Sequence, residues 1–265
     1  MKLKLIAAVV GLTLSAASQA TIVPTTTTGG SDLLLDVWEQ GAPGGQPDQS
    51  FTLDLGITLT QFNAAAGTSN ANLATLLSSD STWSNFLATS DTADAGALQW
   101  SVIASGNHVF NNRTTIFGTA TVGTDPTTAG AGGQLFNSDL NAANSQVNTT
   151  IQNLNTAPNP NEQVAQKGTG SYYQDFQLAN FNGAGFSNNN NIGATAAVWT
   201  AANLSGGNTT PAVMNQLAGT MTFAQVGGNY VLSYNVAAVP EAPGYGMFLC
   251  GLAALGFIAL RRRNA

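Results

Sequence analysis

Positive charge is scarce in this chain of 265 residues, and most of it lies at the two ends. Five of the seven Lys and Arg residues fall within the first four or the last five positions, which leaves only Arg113 and Lys167 between them. The same interval holds all thirteen acidic residues. Binding to nucleic acid requires clusters of Lys and Arg, so we expect no nucleic-acid partner. We expect instead a strongly acidic body whose polar surface is built mainly from Ser, Thr, Asn and Gln.

Cysteine and histidine each occur once, as Cys250 and His108. A single cysteine excludes an intrachain disulfide, and Cys250 lies in an apolar stretch where it acts as a small apolar filler. One histidine and no second cysteine argue against a zinc site. A Ser-His-Asp triad would need His108, but "GNHVFNN" is typical of a polar loop and no G-x-S-x-G motif is present. We therefore expect no cofactor and no catalysis by His108.

The first twenty residues, "MKLKLIAAVVGLTLSAASQA", have the three parts of a secretory signal peptide. Two lysines precede an apolar run, and Ser18 and Ala20 then provide the small side chains required at positions −3 and −1 of a cleavage site. This order disfavours the alternative, a buried N-terminal helix. The sequence predicts export and cleavage by signal peptidase between Ala20 and Thr21.

Residues 245–260 carry no charge and are followed by Arg261, Arg262 and Arg263. As a helix, these sixteen residues would be roughly 24 Å long, against a hydrocarbon core of ~30 Å. Local thinning of the bilayer and arginines that reach the head groups would make up the difference. The positive-inside rule places the arginines in the cytoplasm and the preceding chain outside. Three adjacent arginines disfavour the alternative, a helix packed into the core of the domain.

A short motif, Val239, Pro240 and Glu241, precedes this span. The order of Pro-Glu, a Gly- and Leu-rich span and a terminal arginine cluster resembles the PEP-CTERM sorting signal of exported bacterial proteins. The motif of that family is Pro-Glu-Pro, whereas here Ala242 takes the third place and Pro243 follows. The resemblance covers about the last 27 residues. It implies processing by exosortase, a membrane-embedded enzyme, and a destination at the cell surface or outside the cell, in association with exopolysaccharide or biofilm.

These signals divide the chain into a signal peptide (1–20), an exported domain (21–238) and a sorting signal (239–265, with its motif at 239–243). The exported part is long enough for one domain with a core of its own. Its apolar residues alternate with period two in "SFTLDLGITLTQF" (50–62) and around Gly227-Gly228 in "GTMTFAQVGGNYVLSYNV" (219–236), which predicts a strand and a hairpin. Strand patterns dominate, so we predict a mainly β, single sandwich-like domain with one or two inserted helices.

Three further segments have other patterns. Residues 21–31, "TIVPTTTTGGS", have no periodicity and predict a loose N-terminal tail. Residues 71–89, "ANLATLLSSDSTWSNFLAT", have apolar residues at helical spacing, with a capping signal at 79–81. Residues 133–155 carry one apolar stripe, which predicts a helix. That stripe consists of Phe136, Leu140, Ala143, Val147, Ile151 and Leu154.

Acidic residues are the remaining candidates for a site. Asp32, Asp36 and Glu39 lie close enough in sequence to form a carboxylate pair for glycoside hydrolysis, although solvated acidic loops are commoner. Asp91 and Asp94 precede a glycine and suggest a weak calcium turn, without the full D-x-D-x-D-G pattern.

The function that these observations favour is that of an exported surface or matrix protein without catalysis. Its partners would be signal peptidase, exosortase, extracellular polysaccharide and, before processing, the membrane. A secreted polysaccharide or ester hydrolase is one alternative, and a carbohydrate- or calcium-binding module with exposed tryptophans is the other. The tryptophans lie within apolar patterns, which favours a core position for them. They are Trp38, Trp83, Trp100 and Trp199.

Overall fold

The computed structural model describes residues 22–25, 30–39, 48–65, 70–90, 98–108, 113–121, 135–159, 161–169, 190–203, 207 and 209–236. Within them lie ten strands and three helices. The strands are β1 (Asp32–Glu39), β2 (Gln49–Thr58), β3 (Ala71–Leu76), β4 (Leu98–His108), β5 (Arg113–Thr121), β6 (Glu162–Gln166), β7 (Asn190–Asn191), β8 (Thr195–Ala202), β9 (Val213–Val226) and β10 (Asn229–Asn235). The helices are α1 (Leu59–Ala65), α2 (Ser81–Thr89) and α3 (Asn137–Thr156).

All ten strands belong to one antiparallel sheet, which curls into a half-barrel. The strand order is β3-β10-β9-β8-β5-β4-β1-β2-β6, and the short β7 pairs with β4. The prediction of a mainly β domain is confirmed. The finer expectation was two packed sheets, whereas the described strands form one curled sheet with helices against both of its faces.

Strand β1 shows how a single sheet supports two apolar cores, because the strand is buried on both of its faces. Leu33, Leu35 and Val37 belong to one apolar core. Leu34 and Trp38 belong to the second core, which lies on the side of α3. A strand covered on both faces has a nearly continuous apolar run instead of clean alternation, as in "DLLLDVWE".

The longest helix, α3, was predicted from its apolar stripe and packs against β4, β5 and β8. Phe136 is the one member of the stripe that the helix does not bury. It is the N-cap residue, pairs with Pro211 in an isolated bridge and remains 37% exposed. The other members are buried, namely Leu140, Ala143, Val147, Ile151 and Leu154.

The helix predicted over residues 71–89 forms only in its second half. Residues 71–76 are strand β3, which pairs with β10 at the end of the sheet, and α2 begins at Ser81. The β3–β10 register shifts by one residue at Leu73, so that Leu73 and Leu76 both point into the core. In a regular strand, side chains return to the same face after two or four residues. A bulge adds one residue, so two side chains three residues apart share a face, which is also the spacing of a helix. Tertiary pairing with β10 then determines the conformation.

The hairpin at the end of the described chain is confirmed. Val226 pairs with Asn229 across Gly227 and Gly228, whose φ angles are 59° and 85°. Two consecutive positive φ values are what a two-residue hairpin turn requires, and glycine adopts them without strain.

The expected loose tail at residues 21–31 is wrong where the structure describes it. Ile22 is 1% exposed and belongs to the core beside α3, and Thr25 is equally buried. The reason is that the apolar Ile22 side chain packs in the core that contains Leu34 of β1 and Leu154 of α3.

The signal peptide (1–20), the sorting signal (239–265), Asp91 and Asp94 lie outside the described residues. Of the helices that the structure does describe, none combines the length and the apolar character needed to cross a bilayer.

Candidate functional site

A cavity of about 430 Å³ lies where the N-terminus of α2, the C-terminus of α3 and the start of β6 meet. Its volume is within the range of roughly 300–1,000 Å³ that is usual for small-ligand sites. Five of the nine lining side chains carry a hydroxyl or an amide group and one carries a carboxylate, although apolar atoms provide the larger part of the lining surface. The lining residues are Thr82, Asn153, Thr156, Ala157, Pro158, Asn159, Glu162, Gln163 and Val164.

The end of α3 forms one wall of this cavity. The helix ends at Thr156, and the N–H of Ala157 still donates to the carbonyl of Leu154, 3.0 Å away. Pro158 cannot continue the helical hydrogen bonds, so the chain leaves the helix axis there. It turns through Asn159, whose carbonyl accepts from the N–H of Glu162 at 3.2 Å, and enters β6.

The opposite wall is the first turn of α2. Asp80 is its N-cap, and one oxygen of the Asp80 carboxylate accepts from the N–H groups of Thr82 (2.9 Å) and Trp83 (3.0 Å). Such a cap satisfies backbone donors that the helix itself leaves unpaired. The Trp83 ring is fully buried and packs edge-on against Phe51, with centroids 5.0 Å apart. This anchor holds Thr82 at the edge of the cavity.

Two carboxyl groups meet at that edge. Burial is the main cause that raises the pKa of Glu162, and the neighbouring Asp80 carboxylate raises it further. Hydrogen bonds from Thr82 and Asn159 act in the opposite direction. The side-chain amide of Asn159 lies 3.0 Å from the Thr82 hydroxyl and 3.4 Å from a Glu162 oxygen. This arrangement of oxygens and one amide can hydrogen-bond the hydroxyl groups of a polar ligand or lie against a cation.

The acidic residues that the sequence proposed lie elsewhere. Asp32 and Asp36 share the α3-facing side of β1, whereas Glu39 falls on the other side because strand side chains alternate. Asp36 accepts from the Thr52 hydroxyl at 2.6 Å, and burial raises its pKa to about 7. The pKa of Asp32 is also raised by burial. None of the three lines the cavity, so the structure does not bring them together in an open site.

Asp54 is a half-buried acid that the sequence did not single out. It lies opposite Leu34 on β2, and therefore on the same side of the sheet as Asp32 and Asp36. Burial raises its pKa to about 6, and the negative charge of Asp32 contributes to that shift. We call Asp32, Asp36 and Asp54 the carboxyl strip.

The tryptophans and His108 are the other residues that the sequence considered for a site. The four tryptophans are buried, so the prediction that they belong to the core is confirmed. His108 is the last residue of β4, and its backbone pairs with that of Arg113 in β5. The sequence had predicted a polar loop at this position.

Sequence reasoning recognised only the ends of the helices at the cavity. The capping signal predicted at residues 79–81 is confirmed, since Asp80 caps α2, and the helix predicted over residues 133–155 ends close to its predicted limit, at Thr156. Their proximity depends on the pairing of β6 with β2, which no local pattern encodes.

Among the described residues, no three His, Cys, Asp or Glu side chains converge as a set of metal ligands. Comparison with protein-family models, with curated proteins and with solved structures found no match for this chain.

Proposed function

We propose that this chain is an exported protein of the bacterial cell surface or extracellular matrix, sorted by exosortase and associated with exopolysaccharide. Signal peptidase removes residues 1–20, and residues 239–265 hold the precursor in the membrane until exosortase acts. After processing, the acidic domain is at the cell surface or outside the cell.

One observation supports this proposal above the others: the described part of the fold reaches close to both predicted processing signals. Ile22, two residues after Ala20, is already packed in the core. At the other end β10 ends at Asn235, and the N–H of Val236 donates to the side chain of Asn70 at 2.7 Å. The sorting motif starts three residues later, at Val239. This placement fits a folded domain from which both terminal signals can be removed without loss of a described strand or helix.

The positions of the carboxyl groups support a role without catalysis. Glycoside hydrolysis uses two carboxyl groups about 5 Å or more apart, on either side of the scissile bond. Glu162 is the one carboxyl group that lines the described cavity, while Asp80, which raises the pKa of Glu162, caps α2 and is not part of the lining. The carboxyl strip lies on the side of the sheet that α3 covers, and neither Asp32 nor Asp36 lines the described cavity.

The cavity favours a second candidate, a module that binds carbohydrate or calcium. Its Thr, Asn and Gln side chains suit the hydroxyl groups of a saccharide, and Asp80 and Glu162 suit a cation. Titration of the exported domain with CaCl₂ and, separately, with oligosaccharides from the host matrix distinguishes these ligands by calorimetry. Glu162→Gln should weaken binding, and Asp139→Asn, at the other end of α3, should not. Equal affinities in the two variants would exclude the cavity.

Intact-mass analysis of the protein from culture medium and from membranes tests the main proposal. We expect a mature chain that begins at Thr21 and lacks Arg261–Arg263. Replacing Pro240-Glu241 by Ala-Ala should trap a precursor in the membrane fraction. A full-length chain found in the cytosol would contradict export, and release of the Ala-Ala variant at an unchanged rate would contradict sorting by exosortase.

A further inference from the structure

The segment Ile22–Thr25 is bound to the domain by side chain and backbone alike, and we call it the docked segment. The Ile22 side chain is buried in the core that also contains Leu34 of β1 and Leu154 of α3. The Asn155 side chain holds the backbone of Ile22 from both sides: its oxygen accepts from the Ile22 N–H at 2.9 Å, and its amide donates to the Ile22 carbonyl at 3.2 Å.

Two further contacts extend this attachment along the segment. The N–H of Val23 donates to the Asp32 carboxylate at 2.7 Å, and the Thr25 hydroxyl lies 3.4 Å from the side-chain oxygen of Asn148 on α3. The docked segment therefore bridges α3 and the beginning of β1. It contributes to the core and is not a tail on its surface.

The predicted cleavage site lies next to this attachment. Ala20 is two residues before Ile22, so at most roughly 7 Å of extended chain separates the two positions. A protease cleaves a peptide bond that lies extended in its active-site cleft, with residues bound on both sides of that bond. Since Ile22 is buried and its N–H and C=O are both engaged, the residues around the bond cannot enter such a cleft while the segment is docked.

We propose that the docked segment protects the Ala20–Thr21 bond, so that signal peptidase cleaves this bond only while the segment is undocked. This inference rests on the proposed function, since it requires residues 1–20 to be a leader that signal peptidase removes. Cleavage of a folded precursor then proceeds through the undocked state. Its rate follows the population of that state when docking is fast relative to cleavage.

The test uses the full-length precursor, purified and folded in detergent and incubated with signal peptidase, with loss of residues 1–20 followed by mass spectrometry. Asn155→Ala removes both hydrogen bonds to the Ile22 backbone and leaves the protease's own substrate residues unchanged. We expect its cleavage to be about tenfold faster than that of the wild type, because two lost hydrogen bonds raise the undocked population by about that factor. Thr25→Val removes the weaker contact to Asn148 and should accelerate cleavage by a smaller factor, about threefold.

Val102→Ala is the matched control. Val102 lies in the core on the other face of the sheet, so its truncation lowers global stability without touching the docked segment. Its precursor should be cleaved at the wild-type rate. Equal rates for wild type, Asn155→Ala and Thr25→Val would overturn the proposal, and so would a Val102→Ala precursor cleaved as fast as Asn155→Ala.

A peptide of residues 1–30, which holds the whole predicted leader, separates failure of this inference from failure of the proposed function. The unstructured peptide should be cleaved between Ala20 and Thr21 at one rate, whatever the state of the domain. If signal peptidase does not cleave the peptide, the leader itself is disproved, and this inference with it. If the peptide is cleaved and the folded variants do not differ, only the protection by docking is disproved.

Discussion

The ring of Tyr234 lies directly over Gly219 on the neighbouring strand, so that a methyl group at position 219 would overlap the ring atoms. Tyr234 pairs with Met221, which places Gly219 two residues away along β9. The ring is held on its other side by Phe62, edge-on with centroids 5.0 Å apart, and it is almost fully buried. It cannot move aside without disturbing the core.

Gly219→Ala should therefore destabilise the domain by about 1–3 kcal/mol, the usual cost of inserting a methyl group into a packed core. Urea unfolding at equilibrium measures this change. Gly207→Ala is the control, because no atom lies within 4 Å of the added methyl group, and its effect should stay within about 0.5 kcal/mol. Equal stability of the two variants would show that Tyr234 does not pack on Gly219.

The carboxyl strip should make the domain less stable at pH 7 than at pH 4. Burial raises the pKa of Asp36 to about 7 from an ordinary value of 3.8, so between these values the folded state keeps a proton that the unfolded chain has lost. Stability is then fully present below pH 4 and falls as pH rises toward 7. Asp36→Asn removes this contribution and should be more stable than the wild type at pH 7, by an amount on the order of a few kcal/mol.

Asp54→Asn gives a matched control for that pH dependence. The pKa of Asp54 is raised to about 6, so its removal should flatten the stability profile only between about pH 4 and pH 6. The decrease in stability between pH 6 and pH 7 should remain in Asp54→Asn and disappear in Asp36→Asn. Thermal or urea unfolding at half-unit pH steps distinguishes the two. A wild-type profile that does not change over this range would contradict both assignments.

The Asp80 cap offers a third test. Asp80→Ala leaves the N–H groups of Thr82 and Trp83 without their acceptor and should destabilise the domain by about 1 kcal/mol. Asp80→Asn keeps a side-chain oxygen for both bonds and should retain most of the stability. Since it also removes the negative charge beside Glu162, the pKa of Glu162 should fall toward its ordinary value, which NMR titration measures. An unchanged Glu162 titration would show that the two carboxyl groups do not interact.

The ion pair between Lys167 and Asp48 should contribute little. The two groups are 2.7 Å apart, but the lysine side chain is 56% exposed and lies just beyond the end of β6. Exposed pairs contribute about 0.2–1 kcal/mol and are screened by salt. Lys167→Met should change the free energy of unfolding by less than about 1 kcal/mol at low salt, and by less still in 1 M NaCl. A larger loss that persists in salt would show that this pair is structurally important.

Local patterns predicted the elements whose conformation follows from their own residues. The stripe of α3 and the turn at Gly227-Gly228 form where the sequence indicated them. So does the strand at Phe51 and Leu55, although residues 59–62 of the predicted strand begin α1 instead. In each of these cases the periodicity of the apolar residues, or the need for positive φ, has one structural solution. The mainly β class follows from the same signals.

Local patterns did not locate the candidate site, which combines the N-terminus of α2 with the start of β6. Glu162 and Asp80 are 82 positions apart in the sequence, and they meet because β6 pairs with β2 while Trp83 anchors α2 against Phe51. The helical spacing of Leu73 and Leu76 was equally misleading, since a bulge in an edge strand produces it as well.

The amino-acid sequence by itself determined the alternation that makes strands, the stripe that makes α3 and the lopsided distribution of charge, because each depends on neighbours along the chain. Only the tertiary structure decided that the strands form one curled sheet, that Ile22 belongs to the core and that Asp36 is buried and Asp54 half-buried, both with raised pKa values. These features depend on which distant segments exclude water from a given side chain, and pairing across the sheet sets that arrangement.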